Sequence, residues 1–295
     1  MVNIFVLNEN SLKNKMYSCV ENITDVCDRN DLPHIFLRTK SIEDLKKQIA
    51  PFNGSEEAVL YAVGGDGTLQ ALVNSVDLST TTLQYLPYGS GNNAYRTFYG
   101  VEQRFDLEKD ILSENIIEAD LGMANGEYFT CMLGLAIDAR IGNNLSKFRN
   151  LKVSGKMKYY LSILYTLLRE ADPVTLKMIF DGMTIEQKSS FISITNGQTI
   201  GGQTPINPAA NAFDGKLNAV VTEALSTMKL LGLFTKIDKG THLDDSSVVK
   251  TYEFEKLLIE SDGPLIHELD GEIRESSIID VSVCPKVLKL KGKRY

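Results

Sequence analysis

Short, almost wholly apolar segments alternate with amphipathic segments along the first 120 residues of the chain. The apolar segments predict strands at Val2–Leu7, His34–Thr39, Ala58–Val63 and Leu83–Pro87. The amphipathic segments predict helices near Leu12–Arg29, Ser41–Phe52, Thr68–Val76 and Asn92–Tyr99. Ser41 has the chemistry of a helix N-cap, because its hydroxyl can accept a backbone N–H at the start of the helix. This alternation is typical of an α/β domain with a parallel sheet.

After Asp120 the apolar positions recur about every second residue, which predicts an antiparallel β domain. The predicted strands are Glu127–Ile137, Val174–Phe180, Thr184–Ile194, Lys216–Glu223, Val248–Ser261, Leu265–Ile273 and Ile278–Lys289. Asp181-Gly182 predicts a tight hairpin, since both central positions of a type I′ turn need positive φ. One helix, Ser154–Arg169, is predicted to lie on the sheet, with apolar residues at helical spacing: Met157, Leu161, Leu164, Tyr165 and Leu168. The predicted domains are 1–120 and 121–295, unless the last strand returns to the first domain.

Composition limits the class of protein. The 295 residues, of which 43% are hydrophobic, suffice for two domains, each with its own core. The formal net charge of −7 argues against a protein that covers nucleic acid with its whole surface. We therefore expect no nucleic-acid partner.

Cysteine and histidine usage argues against a zinc centre and for a reducing compartment. The four cysteines lack CxxC spacing, and the three histidines are too few to complete a local cluster. The N-terminal sequence MVNIFVLNEN predicts a first strand rather than a signal peptide. No apolar stretch approaches the roughly 20 residues of a membrane span. The sequence thus predicts a cytoplasmic protein whose contact with lipid, at the inner face of the plasma membrane, is peripheral and transient.

Two glycine-rich loops carry the strongest signal for chemistry. The first, Val63-Gly64-Gly65-Asp66-Gly67-Thr68-Leu69, joins an apolar strand to a helix, and the second, Gly89-Ser90-Gly91-Asn92-Asn93, follows the next strand. Glycines let the backbone approach a ligand closely, and a helix N-terminus offers unpaired N–H groups to a phosphate. Two such loops on neighbouring strands predict a phosphate-binding site, and ordinary turns are the alternative. Asp66 either orients a loop through backbone N–H groups or acts through a bound Mg²⁺.

The chain resembles the diacylglycerol kinase catalytic family of lipid kinases, which includes sphingosine and ceramide kinases. The resemblance is carried by GGDGTLQALVNSV from Gly64, LPYGSGNNAYRTF from Leu86, ADLGMANG at Ala119, GLAIDARI from Gly134, ITNGQTIGGQTPINPAANAFDGKLNAVV from Ile194 and ELDGE from Glu268. It implies an N-terminal nucleotide-binding domain like those of phosphofructokinase and NAD kinase. It also implies a C-terminal β-sandwich and catalysis in the cleft between the two domains.

The resemblance implies that ATP is bound from four segments. The implied contacts are Asn8, Glu9, Asn10, Ser11, Thr39, Gly64, Gly65, Asp66, Gly67, Thr68, Leu69, Gln70, Ala71, Gly89, Ser90, Asn92 and Asn93. The segment at Asn8 lacks the Pro and Gly of the family's NPxSG loop, and Ser90 replaces a Thr. Asn93 stands where the family usually has Asp, and an amide cannot supply the negative charge that a Mg²⁺ bridge would use.

The resemblance also assigns acidic residues in the second domain. Glu272 would accept the proton of the attacking hydroxyl, and Asp270 would lie on the same face if the segment is a strand. One catalytic carboxylate would then take the proton while the other holds Mg²⁺ or orients its partner, and a solvated strand face is the alternative. Asn211, Asp214 and Lys216 match a loop that holds a structural Mg²⁺ in bacterial members, with a plain Asp-Gly turn as the alternative. Asp120 and Asp138 match acidic positions that could organise the cleft, or act as cap or turn carboxylates.

A basic segment stands out in this acidic chain. It contains Lys147, Arg149, Lys152, Lys156, Lys158 and Arg169, with Phe148 and Leu151 interleaved. Such a segment can rest on anionic headgroups, although a solvated helix face is the commoner explanation.

The sequence therefore predicts an ATP- and Mg²⁺-dependent lipid kinase that phosphorylates a hydroxyl of diacylglycerol or a related lipid. The alternatives are a sphingoid-base or NAD kinase-like enzyme, and a nucleotide- or lipid-binding protein with little or no turnover. The predicted partners are the nucleotide and the lipid, and the sequence leaves a homodimer open.

Overall fold

The computed structural model describes residues 1–12, 15–148, 150–153, 155–201 and 203–294. The chain divides into two compact units. The first contains Met1–Asp120 and Lys286–Tyr295, and the second contains Leu121–Pro285. The predicted α/β class of the N-terminal part and β-rich class of the C-terminal part are confirmed.

The helices and strands alternate in the first unit, whereas strands predominate in the second. The strands are β1 (Val2–Asn8), β2 (His34–Thr39), β3 (Ala58–Gly64), β4 (Thr82–Pro87), β5 (Ile116–Ala124), β6 (Glu127–Phe129), β7 (Met132–Ala136), β8 (Val174–Phe180), β9 (Met183–Ser189), β10 (Phe191–Thr195), β11 (Leu217–Thr222), β12 (Val249–Phe254), β13 (Lys256–Leu269) and β14 (Glu272–Lys291). The helices are α1 (Glu9–Leu12), α2 (Met16–Arg29), α3 (Ile42–Ile49), α4 (Asp66–Val73), α5 (Asn93–Tyr99), α6 (Leu107–Leu112), α7 (Ile137–Leu145), α8 (Gly155–Arg169) and α9 (Thr227–Asp238).

A parallel sheet forms the centre of the first unit. Its strands lie in the order β4, β3, β1, β2, and the end of β14 pairs with β4 through Lys289 and Leu290. Every residue of β3 is buried, as expected of a central parallel strand that is covered on both faces. On one face Cys19, Ile23 and Cys27 of α2 join the same apolar cluster as the strand residues. The sheet thus brings the C-terminal ends of β1 to β4 to one edge.

Capping residues set where the helices of the first unit begin. Ser41 is the N-cap of α3, because its hydroxyl accepts the Asp44 N–H at 3.2 Å, and this prediction is confirmed. The helix predicted near Leu12–Arg29 corresponds to α2, and α1 ends at Leu12, with residues 13–14 outside the described part of the chain. Asn8 starts α1, since its Oδ1 accepts the N–H groups of Asn10 and Ser11.

Antiparallel pairing builds the second unit. Its strands lie in the order β12, β11, β10, β7, β13, β14, and the β8–β9 hairpin joins this sheet through β8 and β13. The predicted Asp181-Gly182 turn is confirmed, with φ values of 33° and 98° and Phe180 paired to Met183. Buried side chains of these strands and of β6 form one apolar core, which includes Phe129, Phe180 and Phe254.

Several predicted strands are wrong in extent because the chain bends or turns within them. Thr184–Ile194 is divided between β9 and β10, and Val248–Ser261 between β12 and β13. Leu265–Ile273 contains a turn at Asp270-Gly271, where φ is 48° and 98°. An Asp-Gly pair with positive φ at both residues also forms the hairpin at Asp181-Gly182.

The helices of the second unit also differ from expectation. The strand predicted over Glu127–Ile137 is β6 and β7, with α7 beginning at Ile137, and α9 was not predicted. α8 follows the predicted helix, although Ser154 lies outside the described residues. Among its described side chains, Ser162, Ile163, Thr166 and Leu167 are buried, whereas Met157, Leu164 and Leu168 of the predicted apolar set are exposed.

No described helix is both long and apolar enough to cross a membrane. Cys19, Cys27 and Cys131 are buried and Cys284 is half-buried, all as free thiols. In the predicted basic segment, Arg149 and the side chain of Lys156 lie outside the described residues.

Candidate functional site

The two glycine loops of the first unit contact each other through their backbones. The carbonyl oxygen of Gly64 accepts the N–H groups of Tyr88 and Gly89 at 2.9 and 3.0 Å. A Cβ atom on Gly89 would overlap the Cα of Gly65. Glycine is therefore required here for close approach, and the predicted convergence of the loops is present in the structure.

Asp66 holds the second loop in place from the first. Its Oδ1 accepts the Ala94 N–H at 3.0 Å and lies 3.3 Å from the Tyr85 hydroxyl. Because Ala94 is in the first turn of α5, the carboxylate supplies the cap that Asn92, with φ of 53°, does not. The sequence left open whether Asp66 orients a loop or binds Mg²⁺, and these hydrogen bonds show that it orients the second loop.

The second loop is further braced by side chains around Asn92. The Asn92 amide donates to the carbonyl oxygens of Pro87 and Gly89, both at 3.1 Å. The Arg96 guanidinium donates to the carbonyl oxygens of Gly91 and Asn92 at 2.6 and 3.1 Å. These bonds engage the carbonyl groups of Pro87, Gly89, Gly91 and Asn92, which fixes the shape of the loop.

The predicted residues after β1 and β2 lie at the same edge of the sheet. Ser11 lies beside Gly64, since a Cβ on Gly64 would come within 2.9 Å of its hydroxyl oxygen. The Asn10 amide donates to the Lys40 carbonyl at 3.2 Å, and the Thr39 hydroxyl donates to the Leu7 carbonyl at 3.3 Å. Glu9 forms an ion pair with Lys40 at 3.9 Å.

The other predicted loop residues differ in exposure. Gly67 and Ser90 are exposed, Ala71 is half-buried, and Leu69 and Gln70 are buried, so the Leu69 side chain belongs to the core. The Thr68 hydroxyl is buried beside Gly64 and has no hydrogen-bond partner among the described residues. Unpaired N–H groups at the start of α4, together with this hydroxyl, fit an anion such as a phosphate.

In the second unit, Asp270 is held by four hydrogen bonds. Its Oδ2 accepts from the Thr130 N–H at 2.5 Å and the Thr130 hydroxyl at 2.8 Å, while its Oδ1 accepts from the N–H groups of Cys131 and Met132 at 2.9 Å. These bonds favour the charged carboxylate, whereas burial raises its pKa. Asp270 therefore anchors the residues before β7 to the β13–β14 turn.

Glu272 begins β14 and is exposed. The expectation that Asp270 and Glu272 share a strand face does not hold, because Asp270 occupies the turn. Near the same hairpin, Arg274 pairs with both carboxylate oxygens of Glu127 at 3.0 and 2.7 Å. Glu272 thus lies between two residues with fixed side chains, the hydrogen-bonded Asp270 before it and the ion-paired Arg274 after it.

Asp138 and Glu268 form a carboxyl pair that shares one environment. Burial raises the pKa of both groups, and the charge of Asp138 raises the pKa of Glu268 further, while the Ser193 hydroxyl opposes the shift at Asp138. Their position depends on two glycines. A Cβ on Gly142 would overlap Oε2 of Glu268, and one on Gly134 would lie 2.8 Å from Oδ2 of Asp138. Such a pair holds a proton that isolated carboxylates would release.

The predicted metal loop forms a local turn. Asp214 Oδ1 accepts the Lys216 N–H at 3.0 Å, and the Lys216 ammonium pairs with Glu253. Asn211 accepts the Phe213 N–H through its carbonyl oxygen. Across the described part of the chain, no three His, Cys, Asp or Glu side chains are grouped so that they could hold a metal. Asp120 accepts the Lys286 N–H at 2.7 Å and so orders the return of β14 into the first unit.

Sequence analysis missed Tyr85 and Glu268. A polar hydroxyl within the apolar segment TLQYLP is the signal that could have pointed to Tyr85, which is fully buried. Glu268 is half-buried between the buried positions His267 and Leu269 of β13, so the strand pattern alone gave no sign that it would lie close to Asp138.

Comparison with known proteins gives matches over nearly the whole chain. The sequence profile of the diacylglycerol kinase catalytic domain matches residues 3–124. That of the YegS C-terminal NAD kinase beta sandwich-like domain matches residues 131–292.

Curated relatives and solved structures agree with these profiles. A Staphylococcus haemolyticus protein named "putative lipid kinase" is 25% identical over 240 residues, covering 80% of this chain and 77% of the relative. A Staphylococcus aureus protein of the same designation is 25% identical over 234 residues, covering 79% and 76%. Two Bacillus anthracis structures, described as a "putative diacylglycerol kinase" and a diacylglycerol kinase, superpose with TM-scores of 0.77 and 0.72 at 20% and 19% identity. They cover 98% of this chain and 94% and 96% of theirs, and show that the fold is shared.

Substituting Gly89 tests the contact between the loops. A methyl group at Gly89→Ala must push the two backbones apart, so we expect the free energy of unfolding to fall by about 1–3 kcal/mol. Gly67→Ala is the matched control, because no atom lies within 4 Å of its added Cβ. Urea unfolding measures both variants, and equal stability for the two would contradict the contact.

The Asp138–Glu268 pair predicts a pH dependence of stability. A raised pKa means that the folded chain keeps a proton that the unfolded chain releases above about pH 4, so stability falls as pH rises from there through the raised pKa. Each such proton contributes up to about 1.4 kcal/mol per pH unit. Asp138→Asn cannot release a proton, so its stability should fall less between about pH 5 and about pH 8.

Urea unfolding at several pH values compares wild type, Asp138→Asn and the exposed control Asp262→Asn. Parallel pH curves for wild type and Asp138→Asn would show that the pair does not retain a proton in the folded chain.

Proposed function

The chain belongs to the family that joins a diacylglycerol kinase catalytic domain to a YegS-type C-terminal domain, and on this premise we propose that it transfers the γ-phosphoryl group of ATP to a lipid hydroxyl. Diacylglycerol is the first acceptor to test. The observation that carries the proposal is the backbone contact between the two glycine loops, with Asp66 bonded across it.

The glycine loops would bind the phosphate chain of ATP. The first turn of α4 presents N–H groups without a side-chain cap at Gly65, and the buried Thr68 hydroxyl adds a further hydrogen-bonding group. Backbone N–H groups suit the transferred phosphoryl group, because phosphoryl transfer depends mainly on positioning and on neutralising charge. We propose that Gly65, Gly67, Gly89 and Ser90 lie against the phosphates, with Thr39 and the residues from Asn8 to Ser11 at the rim.

The residues of the first unit fit a Mg²⁺ ion that arrives with the nucleotide. Asp66 Oδ1 is committed to Ala94 and Tyr85, whereas Oδ2 accepts no hydrogen bond from the described residues. Mg²⁺ in such sites commonly takes one or two carboxylates and completes its shell with phosphates and water. We propose Asp66 Oδ2 as that ligand. When bound, the ion neutralises charge on the β- and γ-phosphates.

We also propose a second, structural Mg²⁺ site at Asn211, Asp214 and Lys216. This site offers the ion few oxygen ligands. Asp214 is its one carboxylate, and Oδ1 of that carboxylate already accepts the Lys216 N–H. The ion would have to use Oδ2 and backbone oxygens of the turn.

Glu272 would act as the proton acceptor. The acceptor hydroxyl oxygen forms a bond to the γ-phosphorus, the bond from that phosphorus to the β–γ bridging oxygen breaks, and ADP leaves with the electron pair. The hydroxyl proton passes to the Glu272 carboxylate. Asp270 would position Glu272 rather than take the proton, because its four hydrogen bonds occupy the acceptor positions of both oxygens.

Glu272→Gln tests the role of the base. Loss of the proton acceptor should lower kcat by about 10²- to 10⁴-fold while ATP affinity stays unchanged. Transfer of radiolabel from ATP to diacylglycerol, sphingosine or NAD measures the rate and identifies the acceptor. Glu275→Gln, an exposed glutamate on the same strand, is the control.

Equal rates for Glu272→Gln and wild type would remove Glu272 from the mechanism. Transfer to sphingosine or NAD but not to diacylglycerol would favour those enzyme alternatives. ATP binding without transfer to any acceptor would identify a binding protein.

Asn93→Asp tests whether metal charge limits turnover. A Cβ on Gly91 would lie 3.1 Å from Asp66 Oδ2 and 3.4 Å from Asn93 Nδ2, so both side chains flank the same point. A second carboxylate there should strengthen Mg²⁺ binding, and a negative charge in the first turn of α5 is favourable. We expect kcat to rise severalfold and the Mg²⁺ requirement to fall; an unchanged or lower kcat contradicts this.

A further inference from the structure

Helix α8 turns its more apolar face to solvent. Met157 is 49% exposed, Leu164 51% and Leu168 70%, and the exposed Tyr160 and half-buried Leu161 complete the same stripe. These residues recur at the three- and four-residue spacing of one helix face. A stripe of this length on a surface helix is unusual unless another apolar phase covers it.

The inward face of α8 is held largely by polar contacts. The Ser162 hydroxyl donates to the Ile141 carbonyl of α7 at 2.6 Å, and the Thr166 hydroxyl donates to the Ser162 carbonyl at 2.8 Å. The Asn144 amide of α7 donates to the Thr166 hydroxyl at 3.0 Å. Among the described side chains of α8, Ile163 and Leu167 are buried in the apolar core and the half-buried Tyr159 packs against it. Helix α8 is therefore packed against α7 and the core of the second unit mainly through residues outside its apolar stripe.

Helix α9 extends this apolar surface. Met228 is 77% exposed and Leu231 47%. Between the helices lies a groove of about 300 Å³ that is lined mainly by apolar residues, with Asp238 at its edge: Tyr160, Ile163, Leu164, Leu231, Phe234, Thr235 and Asp238. We call the stripe on α8 together with Met228 and Leu231 the α8 surface. It is a continuous apolar area rather than a scatter of single residues.

Positive charge accompanies the α8 surface. No acidic residue occurs between Asp138 and Glu170, although the chain as a whole carries a formal charge of −7. Lys147, Lys152 and Arg169 are exposed, and Lys158 is half-buried beside the stripe. The exposed Leu151 and Val153 lie between the basic residues. Glu170 lies 3.8 Å from Lys147 and Asp238 lines the groove between the helices, so the basic residues of this area still outnumber the acidic ones.

This charge favours an anionic partner. A second copy of the chain in a two-fold contact would bring the same basic residues together, which is unfavourable. An anionic bilayer instead offers headgroups to the cations and acyl chains to the stripe, as amphipathic helices at membrane interfaces require.

We propose that the α8 surface docks this protein on an anionic lipid bilayer, with Met157, Leu164 and Leu168 entering the boundary between headgroups and acyl chains. The proposal rests on the proposed function in one respect, since a kinase for bilayer lipids must reach its acceptor in the membrane. Docking itself needs neither ATP nor turnover.

Sedimentation with vesicles tests the proposal without nucleotide. Wild type should bind vesicles of phosphatidylcholine and phosphatidylglycerol more tightly than vesicles of phosphatidylcholine alone, and salt should weaken that binding. Leu164→Gln with Leu168→Gln should lower the partition coefficient by about tenfold or more. Lys152→Glu with Lys158→Glu should lower it by at least about fivefold per charge, on anionic vesicles only.

The matched control is Met183→Gln with Ile278→Gln, two residues of the second unit outside the α8 surface that are 47% and 54% exposed. It should bind vesicles like wild type. Circular dichroism and thermal unfolding verify that every variant keeps its fold.

Docking through this surface would be overturned if wild type did not bind anionic vesicles, or if wild type and the leucine double variant bound them equally. A wild-type dimer that the leucine variant dissociates, with vesicle binding unchanged, would likewise overturn it and identify an interface between copies. Kinase activity on short-chain diacylglycerol dispersed in detergent separates this failure from that of the proposed function. Activity that persists there while vesicle binding fails rejects docking alone.

Discussion

The backbone contact between Gly65 and Gly89 is the constraint on which the nucleotide-binding proposal depends. Because no side chain separates the two loops, the C-terminal ends of β3 and β4 present their N–H groups side by side. Asp66 makes the arrangement cooperative, since its Oδ1 lies in the first loop and caps the helix that follows the second. Losing either the small residues or the carboxylate would release both loops together.

The acidic residues of the second unit have divided roles. Asp270 is saturated with hydrogen bonds, so it suits the fixing of a turn. Glu272, two residues later, is exposed and suits exchange of a proton with a substrate. Burial favours the protonated form of both Asp138 and Glu268, and Asp138 adds to the effect at Glu268. Carboxyl groups close in sequence thus acquire different chemistry from their surroundings.

The sequence predicted elements whose signals are local. The buried strands of the first unit, the Ser41 cap and the Asp181-Gly182 hairpin all follow from short-range patterns. The Asp270-Gly271 turn carries the same local signal but was predicted as strand, because alternating apolar residues continue on both sides of it. The bonds from Asp66 to Ala94 and from Asp270 to Thr130 join residues far apart in the chain, which a single sequence does not specify. The orientation of α8 was also beyond it, since helical spacing identifies an apolar face but not what covers that face.

Amide NMR of the glycine-labelled protein tests the central claim most directly. Titration with ATP and Mg²⁺ should shift the amide resonances of Gly65, Gly67, Gly89 and Gly91, while those of Gly182 and Gly215, in hairpin and turn positions of the second unit, stay in place. Unshifted resonances at the four loop glycines under saturating ATP would contradict the account.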